Sequence, residues 1–147
     1  MATLTRSITV DAPVDSVFDF ALDVGKLWEW EDLDLTDVDV KPDGVGTSAK
    51  LNTRFLGFHV TGSVEYTEVV PGQRIVAKAH FFAENPVWVF TFEPSDGGTK
   101  VTAEGEWHYN IPALGKPIEG MMVKEHAGGV EAMLANLKKQ VEAKAAA

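Results

Sequence analysis

The chain has 147 residues, of which 45% are apolar and 24% charged. That is the make-up of one ordinary globular domain, 1–147, able to bury about 70% of its unfolded surface. Its formal charge of −9 opposes phosphate backbones and anionic membrane surfaces, so no nucleic-acid partner and no stable membrane association are expected. With no cysteine, thiol chemistry, disulfides and thiolate-bound zinc are excluded.

No apolar run approaches the roughly 20 residues that cross a bilayer. Met1–Arg6 lacks the hydrophobic centre of a signal peptide, which points to a cytoplasmic protein.

From Leu4 to Val10 the residues alternate as a strand does, Leu4, Arg6, Ile8 and Val10 on one face and threonines and Ser7 on the other. Asp11-Ala12-Pro13 stops it. A helix is expected next, with Pro13 at its first position, Asp15 in its first turn and Val14, Val17, Phe18, Ala21 and Leu22 on its apolar face. Gly25 is expected to end it, and Lys26–Trp30 to form a second short helix that brings Trp28 and Trp30 to the core edge.

Residues 29–43 hold seven acids and one lysine. The run lacks the glycine and terminal glutamate of a calcium loop, so it reads as a solvated face, with Val38 and Val40 on the buried side of a strand. A cation site is the lesser alternative.

A meander of hairpins follows. Pro42-Asp43-Gly44 turns into a strand with Val45, Thr47, Ala49, Leu51, Thr53 and Phe55 on one face. Leu56-Gly57 leads to Phe58, Val60, Gly62, Val64 and Tyr66, and Pro71-Gly72 to Ile75, Ala77, Ala79 and Phe81. Asn85-Pro86 precedes Trp88, Phe90 and Phe92. Asp96-Gly97-Gly98, the clearest hairpin signal, leads to Val101, Ala103, Gly105, Trp107 and Tyr109. One polar and one apolar face per strand means an antiparallel sheet wet on one side and covered on the other.

The cover is the run from Pro112 to about Ala143. At helical spacing Ile118, Met122, His126, Val130, Met133, Leu137 and Val141 share one side, against Lys124, Glu131, Lys138 and Glu142 on the other. Gly129 lies beside His126 where a core helix would offer a bulky group. Together with the small residues recurring on the sheet's covered face, this points to a cavity between sheet and helix.

This order of elements resembles the START-type helix-grip superfamily (SRPBCC), in its polyketide cyclase/dehydrase and lipid-transport-like branch. The residues that carry the resemblance are Ile8–Phe18 with Trp30, Val45-Gly46-Thr47, the Phe55–Phe58 hairpin, Glu68–Gly72 and Pro112–Gly115. It implies an α+β helix-grip fold: a curved antiparallel sheet of about seven strands, two short helices and one long C-terminal helix packed across it. It also implies an apolar cavity for a lipid, a sterol or a polyketide-like aromatic. Carried onto this chain, the sheet side of the wall is Leu51, Phe58, Val60, Phe81, Trp88, Phe90, Trp107 and Tyr109, with Trp28 and Trp30 at the edge. The helix side is Ile118, Met122, His126 and Met133.

Three functions are compatible with these residues. The favoured one is non-catalytic binding or transport of a hydrophobic small molecule. The second is a cyclase or dehydratase, in which a base draws a proton alpha to a carbonyl while a donor holds the enolate; His126 and Tyr109 are the best catalytic pair. The third is a protein-interaction module using the acidic face Asp32–Asp39. His59, His80 and His108 have the parity of the polar strand faces and read as surface residues. Neither a metal nor another cofactor is expected, since no HExxH, phosphate loop or GxGxxG occurs. The oligomeric state is left open between monomer and homodimer.

Overall fold

The computed structural model describes residues 2–29, 33–55, 57–81, 85–107 and 116–146. Along the chain come β1 (Ala2–Val10), α1 (Val14–Leu22), α2 (Val24–Leu27), β2 (Leu33–Asp39), β3 (Ser48–Phe55), β4 (Phe58–Val70), β5 (Arg74–Phe81), β6 (Val87–Ser95), β7 (Gly98–Trp107) and α3 (Lys116–Ala146). The strands form one curved antiparallel sheet in the order β1-β7-β6-β5-β4-β3-β2. The meander β2–β7 is thus laid down in chain order, and β1 closes against its last strand. This is the helix-grip architecture expected from the sequence.

Strand parity holds along the middle of the sheet. Ile75, Ala77 and Ala79 of β5, Trp88, Phe90 and Phe92 of β6, and Val101, Ala103, Gly105 and Trp107 of β7 are all buried. Ser95 pairs with Gly98 across Asp96 and Gly97, both at positive φ (46° and 83°), the geometry that suits the right-handed twist of the flanking strands.

Four local expectations fail, the first being the extent of the second short helix, which runs Val24–Leu27 and not Lys26–Trp30 because Asp23 caps it two residues earlier. Gly25 does not end α1; that helix stops at Leu22, and Gly25 lies inside α2. Asp23 makes the difference, because its carboxylate accepts the Gly25 N–H at 3.0 Å and caps a new helix. Val38 and Val40 are not buried but 44% and 46% exposed. Asp37 sits at φ 50° and the β2–β3 register shifts between Thr36 and Asp39, so the alternation is broken there. Val45 is 47% exposed because it lies in the turn between Gly44 and Gly46, both at positive φ, and not in β3.

Helix α3 has 31 residues. It packs principally on β1 and touches α1 and α2. Val130, Met133, Leu134, Leu137 and Val141 are its buried stripe. β1 is an edge strand, and α3 covers it with polar side chains. Lys138 Nζ donates to the Thr9 carbonyl at 2.8 Å, the Asp11 N–H donates to Glu142 at 3.4 Å, and Arg6 Nε meets Glu131 at 2.9 Å. These contacts blunt the edge as a template for another chain. α1 is held by Phe18, edge-on to Phe92 at 5.2 Å, and by Thr99 Oγ1, which donates to the Ala12 carbonyl at 2.8 Å.

Candidate functional site

The site is built on pairs across the sheet. Trp88 of β6 stands opposite Gly105 of β7, and Phe81 of β5 opposite Gly62 of β4. A Cβ at Gly105 would lie 2.5 Å from Trp88 Cη2, and one at Gly62 would lie 2.5 Å from Phe81 Cδ1. Each glycine is therefore the seat of an aromatic ring, an arrangement that restores to a glycine-bearing strand the contact a side chain would have given. The sequence presented these glycines as empty space; at these two positions the space is taken by the protein's own rings.

With its ring over β7, Trp88 stacks on Trp107 at 6.2 Å and 28°, and on Phe90 at 6.5 Å and 22°. His126 of α3 lies 4.5 Å from Trp107 and 6.4 Å from Trp88, centroid to centroid. Helix and sheet therefore meet through an imidazole on an indole pair. Such contacts favour offset and tilted geometries and add to the burial of the rings.

The sequence-predicted wall divides in two. Trp28, Leu51, Trp88, Phe90, Trp107 and Met133 are buried, Phe90 and Trp107 completely. They are the solid part of the interior, Trp28 standing edge-on to Phe90 at 6.3 Å. Val60, Phe81 and His126 are half-buried, as are Gly62 and Gly129. Val60, Gly62 and Phe81 lie at the end of the sheet where β5 finishes and β4 begins, while His126 meets the end of β7 through Trp107. Phe58 departs from its expected place in the wall. It is 74% exposed, because its strand position is the tip of the β3–β4 hairpin, beyond the packed part of the sheet. Trp30 and Tyr109 lie outside the described residues, as do the side chains of Ile118 and Met122 and the whole of His108. His59 and His80 are exposed, and His80 Nδ1 lies 3.2 Å from Asn85 Oδ1.

A buried tyrosine, read from the sequence only as one more inward position, ties the helices to the sheet. Tyr66 Oη donates to the Ala21 carbonyl at 2.8 Å. Burial pushes its phenol pKa well up, the neighbouring Trp28 side chain pulls it partly back, and the Asp23 charge adds to the rise. On α3, Asn136 Nδ2 is buried with no hydrogen-bond partner among the described residues, a cost of about 1–3 kcal/mol. In the acidic run, Asp37 pairs with Lys50 at 3.1 Å and Asp39 with Lys41 at 2.8 Å, all four side chains largely exposed. Among the described residues no three His, Asp or Glu side chains gather as metal ligands. No described helix is long and apolar enough to cross a membrane.

The family described as polyketide cyclase/dehydrase and lipid transport matches residues 1–142. The chain belongs to that family. Among solved structures, this family member resembles the TTHA0849 protein of Thermus thermophilus with a TM-score of 0.78 at 19% identity, over 97% of this chain and 99% of that one. It also resembles protein CV1439 of Chromobacterium violaceum, with a TM-score of 0.70 at 21% identity over 95% and 96%. A third likeness is to DynU16, a protein of the dynemicin biosynthetic locus, with a TM-score of 0.63 at 20% identity over 95% of this chain and 47% of that one. At such identities the likeness speaks for fold alone. No curated protein matches the sequence.

Proposed function

We propose that this protein binds and carries a hydrophobic small molecule, a lipid or a polyketide-like aromatic, between α3 and the end of the sheet formed by β4–β7. The observation that carries this reading is the incomplete burial of Val60, Gly62 and Phe81 at inward-parity positions of the sheet and of His126 and Gly129 on α3. Inward apolar positions close completely where the protein supplies its own filling, as Phe90 and Trp107 do. Positions left reachable beside a fully packed aromatic floor have the character of a ligand site: apolar walls and a polar group to orient the guest, here the imidazole of His126. The family's description, which includes lipid transport, supports the same class of ligand.

Native mass spectrometry of the purified protein and titration with an environment-sensitive apolar dye test this reading. The dye is expected to bind the wild type and to bind Gly129→Leu several-fold more weakly, since the new side chain would occupy the helix side of the space. Absence of any co-purified apolar ligand, together with equal dye binding by the two proteins, would refute it.

A second reading, catalysis of the cyclase or dehydratase type, has one observation in its favour: a half-buried imidazole on the inner face of α3. His126 would draw the proton alpha to a carbonyl, and Tyr109, assigned from sequence, would donate to the enolate oxygen. Activity on a polyketide-like substrate that survives His126→Ala removes the base and this reading with it.

A further inference from the structure

We propose that the tip of the β3–β4 hairpin is a lipid-docking element, which touches a zwitterionic bilayer while the carried molecule enters or leaves. The inference rests on the carrier reading above and adds where exchange takes place. Phe58 is 74% exposed, far more than the other exposed large apolar residues among those described, Val38, Val40 and Val45. It is paired with Phe55 at the end of the hairpin, and Gly57, at φ 81°, closes the turn. One step back, Arg54 stands opposite His59, and both are exposed. The tip is therefore an aromatic ring one residue nearer the turn than a guanidinium and an imidazole, which have the parity of the opposite strand face.

That order of groups matches the layers of a bilayer surface. The ring reaches the acyl boundary while cationic and N–H donors stay at the level of the phosphates. The tip of a two-stranded hairpin fits a protein partner badly, because a stable interface needs about 800 Å² from each side. Continuity with the interior is the second argument. Val60 lies two residues behind Phe58 on the same strand face, and Gly62, two further on, carries the Phe81 ring; all three are among the half-buried interior positions. The chain's charge of −9 works against anionic lipid, so the surface is zwitterionic and the contact brief. Burying one phenylalanine side chain changes partitioning by roughly ten- to a hundredfold, enough for docking and too little for permanent residence.

Flotation with phosphatidylcholine vesicles tests the proposal on the full chain. Wild type is expected to co-float weakly, and Phe58→Asp to lose tenfold or more of that partitioning while unfolding at the same temperature. Phe58→Trp is expected to keep it, with emission shifted to the blue and quenched by brominated acyl chains. A wild type that stays off the vesicles, that floats no better than Phe58→Asp, or that requires phosphatidylserine would overturn the proposal. So would loss, in Phe58→Asp, of a protein partner in place of lipid binding. Native mass spectrometry on the same samples separates the two claims. Bound apolar ligand without vesicle binding sinks the docking tip alone, whereas vesicle binding without any ligand sinks the carrier reading.

Discussion

Gly105→Ala is the sharpest probe of the interior. The added methyl would sit 2.5 Å from Trp88 Cη2, 2.6 Å from Cζ3 and 2.7 Å from Cζ2. Carbon atoms rest at about 3.5–4.0 Å, so the ring must retreat by roughly 1 Å. It has nowhere easy to go, being 5% exposed and stacked on both Trp107 and Phe90. Overpacking of this kind costs about 1–3 kcal/mol, while the stiffer unfolded chain returns about 0.4–1 kcal/mol. The expected net loss is about 1–2 kcal/mol, a few degrees in Tm for a chain of this size. Urea unfolding reads the loss, and near-ultraviolet circular dichroism reads the disturbed indole pair. In a Trp88→Phe background the same substitution should become nearly neutral, since the obstructing indole is gone, and the double-mutant cycle should show that coupling. Unfolding of Gly105→Ala at the wild-type midpoint with an unchanged aromatic spectrum would refute the ring-on-glycine geometry.

Two further substitutions read other parts of the fold. Gly128 is exposed on α3, and a Cβ there would meet nothing within 4 Å, so Gly128→Ala should stabilise the protein by about 0.5–1 kcal/mol in urea unfolding; a destabilised variant would show that this helical turn needs glycine. For Tyr66 the folded phenol pKa lies above the unfolded value of about 10. Its contribution is therefore intact below about pH 10 and shrinks above it by about 1.4 kcal/mol per pH unit, because only the unfolded chain releases the proton. Urea midpoints between pH 9 and 11.5 should fall more steeply for wild type than for Tyr66→Phe, and parallel slopes would contradict the burial of that hydroxyl.

Much of the architecture could be read directly because period-2 alternation survives in β5, β6 and β7, whose inward residues pack on both sides. The register of β6 on β7 was also within reach. A two-residue Asp-Gly turn fixes the pairing of everything behind it, and counting back from Ser95 and Gly98 sets Trp88 against Gly105. Gly62 and Phe81 were not legible in that way. The register of β4 on β5 shifts between Tyr66 and Glu68, and a count from the Pro71-Gly72 turn without that bulge would bring a different residue opposite Gly62. The misplacement of Val38 and Val40 has the same origin, since the bulge at Asp37 breaks the alternation and residues 36–43 are exposed on both parities.

Small residues on the covered face were read together as vacancy, and the structure sorts them into kinds. Ala77, Ala79 and Ala103 are buried floor; Gly62 and Gly105 are seats for rings whose identity depends on cross-strand pairing. The Trp88 ring lies over β7 and the Phe81 ring over β4, so the two aromatics lean away from each other across the alanines of β5. What stays reachable is the β4 side of this arrangement, Val60, Gly62 and Phe81, with His126 and Gly129 on the helix. Under the carrier reading, a ligand against Val60 and Phe81 would lie beside the hairpin that ends in Phe58, and one that reaches His126 would also meet the indole pair. Under the carrier reading the aromatic floor sets the depth of the site, and its opening belongs to the β3–β4 pair, which carries the exposed Phe58 ring.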